Sequence, residues 1–122
     1  MKSHADLDVW MRAVDLAADV YKVTASFPAE EKFGLVSQMR RSAVSIASNI
    51  AEGAARTSRR EFMQFLSIAS GSASELGTQL IISRRVAIGD DHTLAQLEQN
   101  LFRVSQMIQG LLRSIKKQEG GR

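Results

Sequence analysis

The residues Leu94, Leu97, Leu101, Val104, Ile108, Leu111 and Ile115 recur at alternating intervals of three and four. That rhythm follows the 3.6-residue turn of an α-helix. It cannot lie along a half-buried strand, whose side chains change face at every residue. A helix with one apolar stripe must bury it against other elements. The same spacing appears three more times: at Val9, Ala13, Leu16 and Val20; at Val36, Met39, Ala43, Ile46 and Ile50; and at Phe62, Leu66, Ala69, Ala73, Leu76 and Leu80. No strand pattern competes with it. The expected fold is all-α, an antiparallel up-down-up-down four-helix bundle in one domain spanning residues 1–122. Its helices are expected over about residues 8–25, 33–55, 58–87 and 91–116, with a frayed tail at 117–122.

Punctuation residues place the helix ends. Asp6 or Asp8 can cap the first helix. Pro28 ends it, because the residue before a proline is pushed out of helical geometry. Trp10 reads as a packing anchor beside the apolar line. Gly53 weakens the second helix near its end. Ser58 with Glu61 forms a capping-box pattern at the start of the third. Gly89-Asp90-Asp91 reads as a turn whose aspartates can cap the fourth.

The stretch Gln38–Arg60 carries a second pattern opposite its apolar face. Gln38, Ser42, Ser45, Asn49, Glu52 and Arg56 share one side, which is small and polar rather than rich in Lys and Glu. The third helix has a comparable stripe at Ser67, Gly71, Ser74 and Thr78, beside Ser70 and Gly77. Glycine and serine in mid-helix cost stability, roughly 1 kcal/mol per Gly relative to Ala. A close helix–helix contact would justify that cost. Gln38, Ser45, Asn49, Glu52, Ser67, Gly71, Ser74 and Thr78 are therefore candidate subunit-interface residues in a homo-oligomer. A lightly charged solvent face is the competing reading.

Charge is uneven along the chain. The formal net charge is +3 and the isoelectric point is near 9.7, yet the part up to Met39 is net acidic. The positive excess lies in Arg40, Arg41, Arg56, Arg59, Arg60, Arg84 and Arg85. Arginine is the better bidentate partner for phosphate or carboxylate. These residues are candidates for contact with RNA or DNA. Intersubunit ion pairs and plain solvation are equally compatible with them.

Several chemistries lack their residues. There is no Cys, so neither a disulfide framework nor thiol chemistry is available. His4 and His92 have no companion ligands at metal spacing, and the inward Glu-x-x-His pairs of a di-metal bundle do not occur. No nucleophile elbow and no phosphate-cradling loop after a strand is present. The third helix is too long and too committed to a core to serve as a DNA-reading recognition helix. The sequence thus predicts no enzyme, cofactor, metal or small-molecule substrate. No apolar run approaches the roughly 20 residues of a membrane span, and Asp6 and Asp8 interrupt any signal-peptide core. A cytoplasmic location is expected.

A family resemblance joins these features. Leu7-x-Val9-Trp10, Phe27-Pro28-x-Glu30, Phe33-Gly34-Leu35 and Gln38-x-Arg40-Arg41 come in order. They are followed by Asn49-Ile50-Ala51-Glu52-Gly53, Arg56-x-Ser58, Glu61-Phe62, Phe65-Leu66, Gly71-Ser72 and Glu75-Leu76-x-Thr78-Gln79-Leu80. From about Asp6 to Ile115 the chain resembles the 23S rRNA intervening-sequence proteins. The resemblance implies a small bacterial protein whose relatives form antiparallel bundles in ring-like homopentamers. Some are encoded within insertions in large-subunit ribosomal RNA genes. A related accessory protein of diversity-generating retroelements is a basic pentamer that binds nucleic acid and a reverse transcriptase. The resemblance supplies no catalytic residues. The chain departs from the family pattern at Ala47, where proline is common, and at Gly77, where Glu is common. It departs again at Val86-Ala87-Ile88, where a Leu-Gly-Tyr-like sequence is usual.

Overall fold

The computed structural model describes residue 1 and residues 3–120, with the backbone alone for residues 119 and 120. Regular structure among them is helical throughout. The long elements are α1 (His4–Thr24), α2 (Ser37–Ala54), α3 (Arg59–Arg85) and α4 (Asp91–Gly120). Every apolar position in the four sequence stripes is buried except Leu111, which is half-buried against the same core. Burying each Leu or Ile contributes roughly 1.5–3 kcal/mol, so this shared core is the main source of stability.

The caps explain where the helices begin. α1 starts earlier than expected, because Ser3 Oγ accepts the Asp6 N–H at 3.0 Å. Asp6 is not the cap; it is buried in the first turn, where a negative charge suits the helix dipole. Ser58 Oγ accepts the Glu61 N–H at 3.2 Å and opens α3. The Asp90 carboxylate accepts from both the Thr93 N–H, at 3.0 Å, and the Thr93 hydroxyl, at 2.7 Å, and so opens α4. α4 runs on to Gly120, past the expected end at residue 116. The expected frayed tail is helical as far as it is described, and residues 121 and 122 lie outside the described residues.

α2 begins later than its apolar spacing suggested. Ala29–Glu31 forms a 3₁₀ turn and Lys32–Val36 a wider turn broken at Gly34 (φ −106°, ψ −111°). Glu31 Oε1 accepts the Leu35 N–H at 3.2 Å. That carboxylate lies 2.9 Å from where a Cβ on residue 34 would sit. The local bond to Glu31 thus displaces regular helix until Ser37.

α3 ends in a Schellman motif. The Ile88 N–H donates to Ser83 O at 2.9 Å and the Ala87 N–H donates to Arg84 O at 3.2 Å. The motif requires a left-handed residue, which glycine usually supplies; here Ala87 takes it, at φ 59°. Gly89 follows at φ 86°.

α2 packs most extensively on α3, while α1 contacts α2 and α4, and α4 also contacts α3. α2 comes close to α3 at Gly53. A Cβ there would come within 2.8 Å of Phe65 Cβ and 2.9 Å of the Phe62 ring. No helix among the described residues is long and apolar enough to cross a membrane.

Candidate nucleic-acid and subunit interfaces

The seven candidate arginines separate into two kinds. Arg40 is half-buried and joins α2 to the end of α1. Its Nε donates to Thr24 Oγ1 at 3.0 Å, its Nη2 donates to Tyr21 O at 3.3 Å, and the guanidinium lies 4.5 Å from the Tyr21 ring centroid. Arg84 joins α3 to α4. It donates to both Asp91 oxygens, at 2.9 and 3.5 Å, and to Glu98 Oε2. The Asp91 bond, then the Glu98 bond, holds the Arg84 pKa above its ordinary value. Arg56 is half-buried, 3.7 Å from Glu52 Oε1 and 5.0 Å from the Phe65 ring centroid. By contrast, Arg41, Arg59, Arg60 and Arg85 are exposed. Among the described residues none of these four makes a side-chain hydrogen bond or ion pair.

They also separate in space. Arg40 and Arg41 share an end of the bundle with Arg84 and Arg85, because Met39 meets Ser83 across the α2–α3 contact at 3.7 Å. Arg56, Arg59 and Arg60 lie at the opposite end, around the α2–α3 turn. Arg60 and Arg85 are about 38 Å apart along α3 at 1.5 Å per residue. The arginines therefore form two clusters, not one.

The candidate interface residues divide too. Ser45 and Asn49 are half-buried; Ser45 serves the contact between α2 and α3, and Asn49 bonds Ser45 one turn back on α2. Ser45 Oγ lies 2.8 Å from Ser72 Oγ. Asn49 Nδ2 donates to Ser45 O at 2.8 Å and to Ser45 Oγ at 3.0 Å. Buried Ser42, Ser72, Gln79 and Ser83 join Ser45 and Asn49 in a polar lane along α2 and α3. Gln79 Oε1 is buried there with no hydrogen bond among the described residues. Gln38, Glu52, Ser67, Gly71, Ser74 and Thr78 are exposed. A Cβ on Gly71 would meet nothing within 4 Å, whereas one on Gly77 would lie 3.5 Å from Leu101 Cδ2, so Gly77 belongs to the α3–α4 contact.

Three features escaped the sequence reading. One is an exposed apolar line on α1, formed by Leu7, Met11, Val14 and Tyr21 at helical spacing. Another is Phe33, which is 88% exposed on the turn before α2, with Lys32 Nζ 5.5 Å from its ring centroid. The third is a groove of about 390 Å³ between the start of α3 and the end of α4, lined by Arg60, Met63, Gln64, Ser67 and Lys116. The α1 line was legible as a second heptad track beside the core track. The groove was not, since it brings Arg60 and Lys116 together from distant parts of the chain. Among the described residues no group of three or more His, Asp or Glu side chains could hold a metal ion.

Four helices around a shared apolar core, joined by a polar lane and rimmed with free arginines, define an all-α helical-bundle protein. The chain belongs to the family of 23S rRNA-intervening sequence proteins, whose profile matches residues 5–110. Among solved structures it is similar to a protein of unknown function from the S23 ribosomal protein family of Bacteroides thetaiotaomicron VPI-5482. That likeness has a TM-score of 0.79 at 24% sequence identity and covers 89% of this chain and 98% of the other. At that identity the likeness establishes the fold. Comparison with curated proteins gave no match.

Proposed function

We propose that this protein is a non-enzymatic cytoplasmic homo-oligomer, a pentameric ring of antiparallel up-down-up-down bundles, that binds RNA or DNA through its exposed arginines. The observation that carries the nucleic-acid reading is the set of exposed guanidinium groups at Arg41, Arg59, Arg60 and Arg85 that have no partner among the described residues. A folded chain gains little from holding such groups in water, whereas a phosphate backbone gives each of them a charged partner. The antiparallel course is supported by contacts in which numbering rises on one helix as it falls on the next: Met39 with Ser83 and Ser45 with Ser72, then Arg84 with Asp91 and Ser70 with Gln109. Self-association is supported by the exposed Leu7, Met11, Val14 and Tyr21 line on α1 and by exposed Ile68, Ile81 and Ile82 on α3 with Val86 just after it. The five-fold number rests on the family resemblance.

Binding of labelled RNA and DNA across a salt series, together with mass by light scattering, tests this reading. Phosphate contacts require affinity to fall steeply with salt. No binding at low salt removes the nucleic-acid function, and a monomer at micromolar concentration removes the assembly. The second reading is a protein–protein adaptor, and 88% exposure of Phe33 favours it, because an aromatic ring on a turn suits a partner's pocket. Under that reading Arg59→Glu with Arg60→Glu breaks the oligomer; under the first it weakens nucleic-acid binding and leaves the mass unchanged.

A further inference from the structure

The two basic ends of the bundle are not equivalent. At the end holding Arg40 and Arg84, the cations Lys22, Lys32, Arg40, Arg41, Arg84 and Arg85 are matched by Asp19, Glu30, Glu31, Asp90, Asp91 and Glu98. Two of those arginines are held in place by neighbouring helices. The end at the α2–α3 turn differs. Arg56, Arg59 and Arg60 are joined there by Arg113, Lys116 and Lys117 from α4. The acids near it are fewer than the cations: Glu52 lies beside Arg56, Asp8 lies 3.6 Å from Arg12, Asp6 is buried, Glu61 is half-buried, and Glu119 follows Lys117 in α4. The positive field is therefore concentrated at this end.

The groove between α3 and α4 lies within that field. Arg60 stands on one wall and Lys116 on the other, with Gln64 and Ser67 able to donate hydrogen bonds and half-buried Met63 offering an apolar surface. Gln109 donates to Ser70 Oγ at 2.9 Å, which fixes the α4 edge that faces α3. Arg113 follows Gln109 by four residues and precedes Lys116 by three, so it falls on the same edge. The groove between α1 and α4 is a contrast: its walls carry Arg12 and Arg103 but also Asp15 and Asp19, which would repel an anion.

Building on the nucleic-acid reading above, we infer that the α3–α4 groove is the binding site and that its ligand is a single-stranded nucleic acid. Phosphates pair with Arg60, Lys116 and Arg113, and a base face lies over Met63, whose polarisable sulfur suits an aromatic ring. A groove bounded by two parallel helix edges admits one strand between its cations. Ser67 then serves as a phosphate donor and not as a subunit contact.

Fluorescence anisotropy with a labelled single strand of RNA or DNA, and with the corresponding duplex, tests the assignment on the full chain. Arg60→Gln with Lys116→Gln is expected to weaken single-strand binding at least about tenfold. It should also reduce the salt slope by about 1.4, at roughly 0.7 for each phosphate that is no longer neutralised. Arg12→Gln with Arg103→Gln in the α1–α4 groove should leave both quantities near wild type. Light scattering should give an unchanged mass for both variants. Loss of binding in the Arg12 and Arg103 variant alone overturns the α3–α4 groove while nucleic-acid binding stands. Preference for duplex overturns the single-strand assignment. A changed mass for the Arg60 and Lys116 variant makes the groove a subunit contact. Absence of any binding by the wild-type chain removes the site and the function together.

Discussion

The turn between α3 and α4 permits a test in which two neighbouring substitutions act in opposite directions. Ala87 carries a Cβ in the left-handed conformation at φ 59°, where an L-residue other than glycine is strained by roughly 1–2 kcal/mol. Ala87→Gly relieves that strain and adds backbone entropy to the unfolded chain worth up to about 1 kcal/mol. The net expectation is a gain of about 0.5–1 kcal/mol. Gly89 is also left-handed, at φ 86°, and it is enclosed as well. A Cβ there would lie 2.7 Å from Phe27 Cε1 and 3.2 Å from Leu94 Cδ1. Gly89→Ala adds strain and overpacking, together about 2–4 kcal/mol of loss. Unfolding 122 residues carries an entropy of roughly 0.26 kcal/mol/K, so 1 kcal/mol moves Tm by about 4 °C. Ala87→Gly should raise Tm by roughly 2–4 °C and Gly89→Ala should lower it by roughly 8–15 °C. Circular dichroism melts at one protein concentration measure both. A fall in Tm for Ala87→Gly would refute the strain argument, and a neutral Gly89→Ala would refute the packing of Phe27 on the turn.

Arg40→Ala should cost about 1–2 kcal/mol in urea denaturation through loss of the Thr24 bond and the stack on Tyr21, while Arg41→Ala should stay within about 0.5 kcal/mol of wild type. Equal effects would contradict the division into structural and free arginines. Gln79→Met keeps the side chain's length and removes a buried acceptor with no bond among the described residues, so it should raise the urea midpoint, equivalent to about 1 kcal/mol; a lowered midpoint would mean that Oε1 has a partner. The hydroxyl of Thr93, and then its backbone N–H, holds the Asp90 carboxyl below its ordinary value of 3.8. A depressed pKa contributes stability that is present above 3.8 and lost as pH falls through the lower folded-state value. Asp90→Asn should flatten that part of the acid limb in a series of urea midpoints against pH, and an unchanged limb would remove the cap from the account.

The core was legible because its signal is local and repeated. Leu94 to Ile115 and the other three stripes need only the helical period to define one face. The cap at Ser58 was legible for the same reason, being a side chain three residues from the N–H that it accepts, and the cap of α4 was narrowed to Asp90 or Asp91. Ser3 was not, because the aspartates nearest the first apolar residue suit a cap equally well by residue type. The start of α2 was hidden because Glu31 competes for the Leu35 N–H, a local bond that periodicity does not record. Ser45, read from the sequence as a candidate for subunit contact, bonds Ser72 of the chain's own α3. A small polar stripe gives no sign of which helix will cover it.

The sequence by itself determined four helices, the face that each one buries and some of the residues that begin and end them. These follow from spacing, propensity and capping over a few residues. Only the tertiary structure decided the roles of the arginines. Arg40 and Arg41 are adjacent in the chain, as are Arg84 and Arg85, but each step along a helix turns the side chain by about 100°. That turn brings Arg40 against Tyr21 and Arg84 against Asp91, and leaves Arg41 and Arg85 in water. The groove pairing Arg60 with Lys116 likewise exists only because α4 packs against α3. Charge is encoded residue by residue, whereas the pairing of charges is a property of distances between helices.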